Sequence, residues 1–287
     1  MHMYPNEQPV PGAVHALLAR VIEGIVFAWP GVASLYAIGV IAAAMFVLWL
    51  ISLRIKDVSI IDVFWGPAFL LISLTVALVA DGNAARRWLL VAMTAVWSLR
   101  LAIYLGMRKL AEPGEDRRYT VMRRSREGSF ALWSLFMIFA LQGVLALFVS
   151  LPIQVAGYRP GSLGAWVVPG IALFLVGLFF ESVGDAQLRR FKSDPQNSGK
   201  VMDRGLWRYT RHPNYFGDFC VWWGIWLVVL PAGGTWWTLV GPALMSVLLI
   251  RVSGKALLER GMRKRRPEYV AYIERTSGFF PRPPRGS

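Results

Sequence analysis

The stretch GLWRYTRHPNYFGD, residues 205–218, runs directly into the apolar sequence FCVWWGIWLVVL at 219–230. It combines cations and aromatic rings with two side chains that accept hydrogen bonds, Asn214 and Asp218. A dense polar cluster at the start of an apolar helix is costly in a bilayer unless its groups are paired or bind a ligand. We therefore expect a membrane protein with a functional site at this boundary.

The composition supports an all-α integral membrane protein. The chain is 55% hydrophobic and yet carries a formal charge of +14 at pH 7, a combination typical of apolar helices joined by basic loops. The segment 13–29 carries Arg20 and Glu23 and predicts an amphipathic helix that lies in the membrane interface. Apolar runs of about 17–25 residues predict seven transmembrane helices, at 34–53, 59–80, 88–107, 129–151, 164–184, 215–231 and 236–253.

The basic residues predict the orientation of these helices. Of 31 Lys and Arg, 26 fall between spans one and two, three and four, or five and six, or from residue 251 onward; four fall on the opposite side, and Arg100 lies inside a span. The positive-inside rule then places the N-terminus outside and the C-terminus in the cytoplasm. We expect a multi-pass protein of the cell inner membrane.

Three basic segments, 108–128, 185–214 and 254–287, share the predicted cytoplasmic face. They could bind anionic lipid head groups, or a multiply phosphorylated ligand, because acids and aromatic rings are interspersed among the cations. With one Cys and three His, we expect neither a disulfide framework nor a metal site. Rossmann and Walker motifs are absent from the sequence, and we expect no nucleic acid partner.

Ionisable residues inside the predicted spans are candidate functional residues, because each is costly to bury. Asp62 lies near the start of the second span. Trp97, Arg100 and Tyr104 share one helical face of the third. Further polar residues follow at helical spacing and predict either a salt-bridge ladder or a site for ribose and phosphate: Glu181, Asp185, Arg189 and Lys192 at the end of span five, then Asn214 and Asp218.

These motifs resemble the membrane steroid 5α-reductase family, in its bacterial branch, over about residues 54–283. The resemblance rests on FWG at 64–66, SLR at 98–100 with Tyr104, and GEDRRY at 114–119. It continues through the Asp185, Arg189 and Lys192 pattern, KVMDRGLW at 200–207, RHPNYFGD at 211–218, and Tyr272 with Arg275.

The resemblance implies that NADPH binds from the cytoplasmic loops and that a cavity opens toward the membrane for a small apolar enone, typically a 3-oxo-Δ4 steroid. It divides the chain into an N-terminal segment, 1–33, and a membrane reductase domain, 34–287, with substrate-side helices at 34–110 and cofactor-binding loops and helices at 111–287. The residues that it implies for the cofactor site are Arg100, Tyr104, Glu181, Asp185, Lys192, Lys200, Asn214 and Asp218. The same loops supply further candidates: Arg117, Arg118, Tyr119, Arg189, Trp207, Tyr209, Arg211, His212, Tyr215 and Arg275.

Reduction of an enone builds negative charge on its carbonyl oxygen, so the protein needs a donor there. We assign this role to a protonated Asp62, with Tyr104 or the indole of Trp97 as the alternatives. Animal members of the family carry Glu where this chain has Asp62 and Tyr where it has Trp97, which leaves the identity of the donor open.

Two other functions fit parts of the sequence. Membrane methyltransferases of the isoprenylcysteine carboxyl and phospholipid types share the Arg-His-Pro-x-Tyr-x-Gly block and bind S-adenosylmethionine, but they typically carry an acidic pair where this chain has only Glu259. A lipid-binding protein or a transporter would use the buried charges as a pathway, although no inverted repeat supports it. We favour the reductase.

Overall fold

The computed structural model describes residues 31–252, 259 and 268–285, and these residues contain helices and no strand. Six helices are long and apolar enough to cross a membrane, which indicates a multi-pass membrane protein: Gly31–Ile55, Ile60–Val79, Ala84–Ala111, Phe130–Val149, Val167–Ser193 and Pro213–Ala232. The helices are α1 (Gly31–Ile55), α2 (Ile60–Val79), α3 (Ala84–Ala111), α4 (Arg117–Arg124), α5 (Phe130–Val149), α6 (Leu151–Ala156), α7 (Val167–Ser193), α8 (Pro213–Val229), α9 (Trp236–Val252) and α10 (Glu268–Arg275).

The sequence predicts seven spans, and the first six correspond to these long helices. The seventh, at 236–253, is the shorter helix α9. Pro231, after α8, lies against Gly164, before α7, whereas Glu259 bonds to Arg211, before α8. Helix α9 therefore returns the chain to the end of the protein where α8 begins. The predicted interfacial helix at 13–29 lies outside the described residues.

Helices α7 and α8 pack against each other through glycines spaced seven residues apart. A Cβ atom at Gly177 would lie 2.6 Å from the carbonyl oxygen of Gly217, and one at Gly224 would lie 2.7 Å from that of Gly170. Real Cβ atoms do not approach an oxygen so closely, so only glycine permits this separation of the two backbones. Small residues commonly allow such close helix packing in membranes.

A buried arginine at the start of α3 binds the loop that precedes α7. Arg86 at the start of α3 is fully buried, and its guanidinium donates to the carbonyl oxygens of Arg159 at 2.8 Å and Ser162 at 2.9 Å, and also to Gly161. Asn83 caps the same helix by accepting from the backbone N–H of Arg86 at 2.9 Å. This cation therefore organises the loop before α7.

We predict that Gly177→Ala and Gly217→Ala each destabilise the protein by about 1–3 kcal/mol, because the added methyl groups force the two backbones apart. The midpoint of thermal unfolding in detergent measures the change. Gly39→Ala is the matched control, because a Cβ there meets no atom within 4 Å, and alanine favours a helix. Equal midpoints for all three variants would contradict the importance of this packing.

Candidate functional site

A buried ionic cluster joins α3 to α7 within the apolar part of the protein. The guanidinium of Arg100 pairs with Glu181 and with Asp185, the latter at 3.0 Å from Nη1 to Oδ2. The indole Nε1 of Trp97 donates to Glu181 Oε1 at 3.0 Å. Glu181 and Asp185 are almost inaccessible to solvent. Trp97 is therefore bound to the cluster through the one N–H that it could offer a substrate.

Helix α8 completes this cluster with Asn214 and Asp218. Asn214 Nδ2 donates to Asp185 Oδ1 at 3.3 Å. The Oδ1 atom of Asp218 is buried and has no hydrogen-bond partner in the described part of the chain. Three carboxyl groups, those of Glu181, Asp185 and Asp218, thus lie near one guanidinium, so the cluster carries more negative than positive side chains. A buried polar group without a partner is costly and suits a site that binds a donor.

A second polar cluster surrounds Asp62 at the N-terminal end of α2. Its Oδ1 accepts from Tyr119 Oη at 2.8 Å, and its Oδ2 lies 2.7 Å from Arg118 Nη2. Arg118 also pairs with Asp116 at 3.0 Å, and Asp116 caps α4. Burial and the neighbouring Asp62 raise the pKa of Tyr119. Both carboxyl oxygens of Asp62 therefore contact a neighbouring side chain.

A cavity of about 320 Å³ opens beside this second cluster, within the size range of ligand pockets. Asp62, Arg108 and Arg117 are among the residues that line it. Arg108 interacts electrostatically with both Asp62 and Asp185, so it lies near both clusters. The sequence prediction omitted Arg108, although it continues the face formed by Trp97, Arg100 and Tyr104 by one more turn.

Arg211 and His212, predicted to bind the cofactor, hold the C-terminal segment in place. Arg211 Nε and His212 Nε2 contact the same Glu259 oxygen, at 2.9 and 3.1 Å. Arg211 also donates to the carbonyl oxygens of Ile273 and Thr276. Burial alone would raise the pKa of Glu259, but hydrogen bonds from His212 and Arg211 lower it to about 2. These contacts join the start of α8 to the C-terminal segment.

The remaining predicted residues fall into three groups. Trp207 and Tyr215 are engaged in packing: Trp207 Nε1 donates to Gly184 O at 3.0 Å, and the Tyr215 ring stacks on His212 at 5.3 Å. Tyr104 is half-buried, and electrostatic interactions link it to Arg100, Asp185, Arg189 and Arg108. The others are exposed to solvent: Arg117, Arg189, Lys192, Lys200, Tyr209 and Arg275.

The pKa of Glu259 predicts an acid-sensitive C-terminal segment. Because the folded pKa lies below the ordinary value of 4.5, the carboxylate stabilises the contact above that value, and this contribution is lost as the pH falls toward about 2. At neutral pH, Glu259→Gln should raise hydrogen exchange across residues 268–279 by at least about tenfold, because it leaves buried Arg211 without a counter-charge. The exchange rates are corrected for their intrinsic pH dependence.

Arg275→Ala serves as the control for this experiment, because its ion pair with Asp203 is half-exposed and contributes little. Between pH 4.5 and 2, hydrogen exchange across residues 268–279 should increase further only in the parent protein and in this control. An acid-induced opening of the same size in Glu259→Gln would contradict the assignment.

Comparison with known proteins assigns this chain to a family. An uncharacterised protein of Schizosaccharomyces pombe is 24% identical over 263 residues, covering 82% of this chain and 76% of the relative. A probable O-methyltransferase of Ustilaginoidea virens, ustE, is 39% identical over 57 residues, covering 20% of each chain. No solved structure matches significantly. The family model described as "protein of unknown function (DUF1295)" matches residues 48–276, and the chain therefore belongs to this family.

Proposed function

We propose that this protein is an NADPH-dependent membrane reductase that acts on the C=C bond of an enone, such as a 3-oxo-Δ4 steroid or another flat apolar substrate. The observation that carries the proposal is the buried Oδ1 of Asp218, which has no hydrogen-bond partner among the described residues, together with the cations near the same cluster. A ligand with a donor-rich end and a polyanionic end complements this distribution. The family is steroid 5α-reductase-like, which supports the same function.

The residues present fit such a cofactor. Ribose hydroxyl groups and a carboxamide N–H₂ are donors that suit the free oxygen of Asp218, with Asn214 beside it. Phosphate groups suit guanidinium and ammonium groups. The exposed cations around the polar end, Arg108, Arg189, Lys192 and Lys200, would meet them, and one of these would read the 2′-phosphate that distinguishes NADPH from NADH.

When bound, NADPH supplies the hydride that adds to the β-carbon of the enone. The task of the chain is to stabilise the charge that develops on the carbonyl oxygen. Asp62 lines the cavity, and Tyr119 and Arg118 hold it from the other side. Arg118 is about half-exposed, so an anionic ligand can compete for it. A carboxyl group that loses its cation in apolar surroundings favours the protonated form, and Asp62 then becomes the donor.

A methyltransferase is the second candidate, and two observations favour it. One is the local similarity to the probable O-methyltransferase ustE. The other is charge: the cluster holds Glu181, Asp185 and Asp218 against the single Arg100, which suits the positive sulfonium of S-adenosylmethionine. S-adenosylmethionine has no phosphate, however, and would leave the basic end of the site without a ligand.

The first test is cofactor binding. NADPH should raise the melting temperature of the purified protein, whereas S-adenosylmethionine and NADH should raise it less. Asp218→Asn should leave the melting temperature without ligand unchanged or higher, because it removes one of three buried carboxyl groups that lie near a single guanidinium. The same variant should weaken NADPH binding by about 1–3 kcal/mol, the usual cost of a lost hydrogen bond in a buried site.

Asp203→Asn is the matched control for Asp218→Asn, because it removes the same charge from a half-exposed ion pair. Stabilisation by S-adenosylmethionine that depends on Asp218, with none by NADPH, would establish the methyltransferase instead. Stabilisation by neither ligand would contradict both enzymatic proposals.

The second test addresses the proton donor. Asp62→Asn keeps the volume but cannot deliver a proton, so it should lower kcat for NADPH-dependent enone reduction by about 10²-fold with unchanged NADPH affinity. Tyr104→Phe, measured in the same assay, tests the competing donor. Full turnover in Asp62→Asn, together with loss in Tyr104→Phe, would assign the proton to Tyr104 and leave Asp62 a structural role.

A further inference from the structure

The turn between α4 and α5 holds two guanidinium groups over aromatic rings. The Cζ atom of Arg123 lies 4.2 Å from the ring centre of Phe130, and that of Arg126 lies 4.4 Å from the ring centre of Trp133. The two rings are 6.0 Å apart on the first turn of α5. Such cation–π contacts restrict side chains that would otherwise move freely in solvent.

The cations of this turn differ in how far they are already neutralised. Arg123 donates twice to Glu115, at 2.9 and 2.7 Å, and Glu115 also accepts from the backbone N–H of Val58 at 3.0 Å. Arg124 and Arg126 are exposed, and no carboxylate of the described residues lies within ion-pair distance of either. Arg123 thus builds the site, while Arg124 and Arg126 keep their charge available.

A cavity of about 400 Å³ lies in this turn, lined by Arg123, Arg124, Glu127, Gly128, Phe130 and Ala131. Gly128 has φ +85°, a conformation that other residues rarely adopt, and it turns the chain into α5. Directly beyond the cavity, the side chains of Leu132 and Phe136 are about 60% exposed. Helix α5 is one of the six apolar helices, so these side chains face lipid.

We infer that this turn is a binding site for the phosphodiester head group of an anionic phospholipid. Arg124, which lines the cavity, would contact the phosphate oxygens, with Arg126 beside it over the Trp133 ring, and the acyl chains would lie along Leu132 and Phe136. Charge favours a lipid with a single negative charge: Arg123 is balanced by Glu115, and Glu127 offsets one of the two free cations. The apolar surface that adjoins the cavity favours a lipid over a soluble phosphate.

The site is distinct from the proposed cofactor site. Its cations lie at the end of α4 and in the turn before α5, whereas Asp62 contacts Arg118 and Tyr119 at the beginning of α4. Glu115 links the two, because it binds Arg123 on one side and lines the cavity beside Asp62 on the other. A lipid bound here would hold α4 in the position that the Asp62 cluster requires.

The test is lipid binding by the whole protein, delipidated in a neutral detergent. Phosphatidylglycerol should raise the melting temperature at lower concentration than phosphatidylcholine does. The double variant Arg124→Gln/Arg126→Gln should weaken the phosphatidylglycerol effect by at least about tenfold in apparent affinity, because charged hydrogen bonds are lost. The double variant Arg190→Gln/Arg208→Gln removes the same charge from exposed positions elsewhere and should bind like the parent.

Three outcomes would overturn the inference. An equal loss in both double variants would mean general attraction to negative charge. An equal response to both lipids would mean that the apolar surface alone is responsible. Stabilisation of the same size by inorganic phosphate, lost in Arg124→Gln/Arg126→Gln, would make the ligand a soluble phosphate. Because Arg124 and Arg126 are exposed, the unliganded melting temperature should stay near that of the parent, and binding remains measurable.

Discussion

The close contact between α7 and α8 is the constraint on which the rest of the structure depends. Gly177 and Gly217 bring the two backbones together, and Gly217 would place a Cβ only 2.6 Å from the Glu181 side chain. This separation sets the polar residues of α7 directly opposite those of α8, so that Asn214 reaches Asp185. A larger residue at these glycines would widen the gap and open the cluster. The candidate site therefore depends on backbone packing before it depends on any polar side chain.

Features encoded locally were predictable from the sequence. Apolar runs of sufficient length located the six long helices. Helical spacing placed Arg100 on one face of the third span, and Glu181 with Asp185 on one face of the fifth. The heptad spacing of the α7 and α8 glycines is also visible in the sequence, but spacing alone does not identify the partner helix. Helical periodicity shows which side chains share a face of one helix, and it requires no knowledge of the tertiary structure.

Pairings between distant segments were not predictable. His212 and Arg211 look like ligand-binding residues in the sequence, yet both contact Glu259, almost fifty positions away. Asp62 pairs with Arg118 and Tyr119 across most of α2, the whole of α3 and the loops that follow them. Nothing in local periodicity distinguishes an arginine that meets a carboxylate of its own chain from one that awaits a ligand. The single acid Glu259, noted only as a departure from the methyltransferases, is in fact the partner of that motif.

The abundance of arginine therefore has several causes. Arg86 and Arg211 are buried and bind backbone carbonyl oxygens, which are internal acceptors that no ligand supplies. Arg118 pairs at the surface, where competition from an anion is inexpensive. Asp218 presents the opposite case, because its buried Oδ1 has no hydrogen-bond partner among the described residues. In surroundings of low polarity, a buried oxygen without a hydrogen-bond partner is costly. The packing of the helices supplies the stability that offsets this cost. A ligand that donates a hydrogen bond to Asp218 would remove this cost.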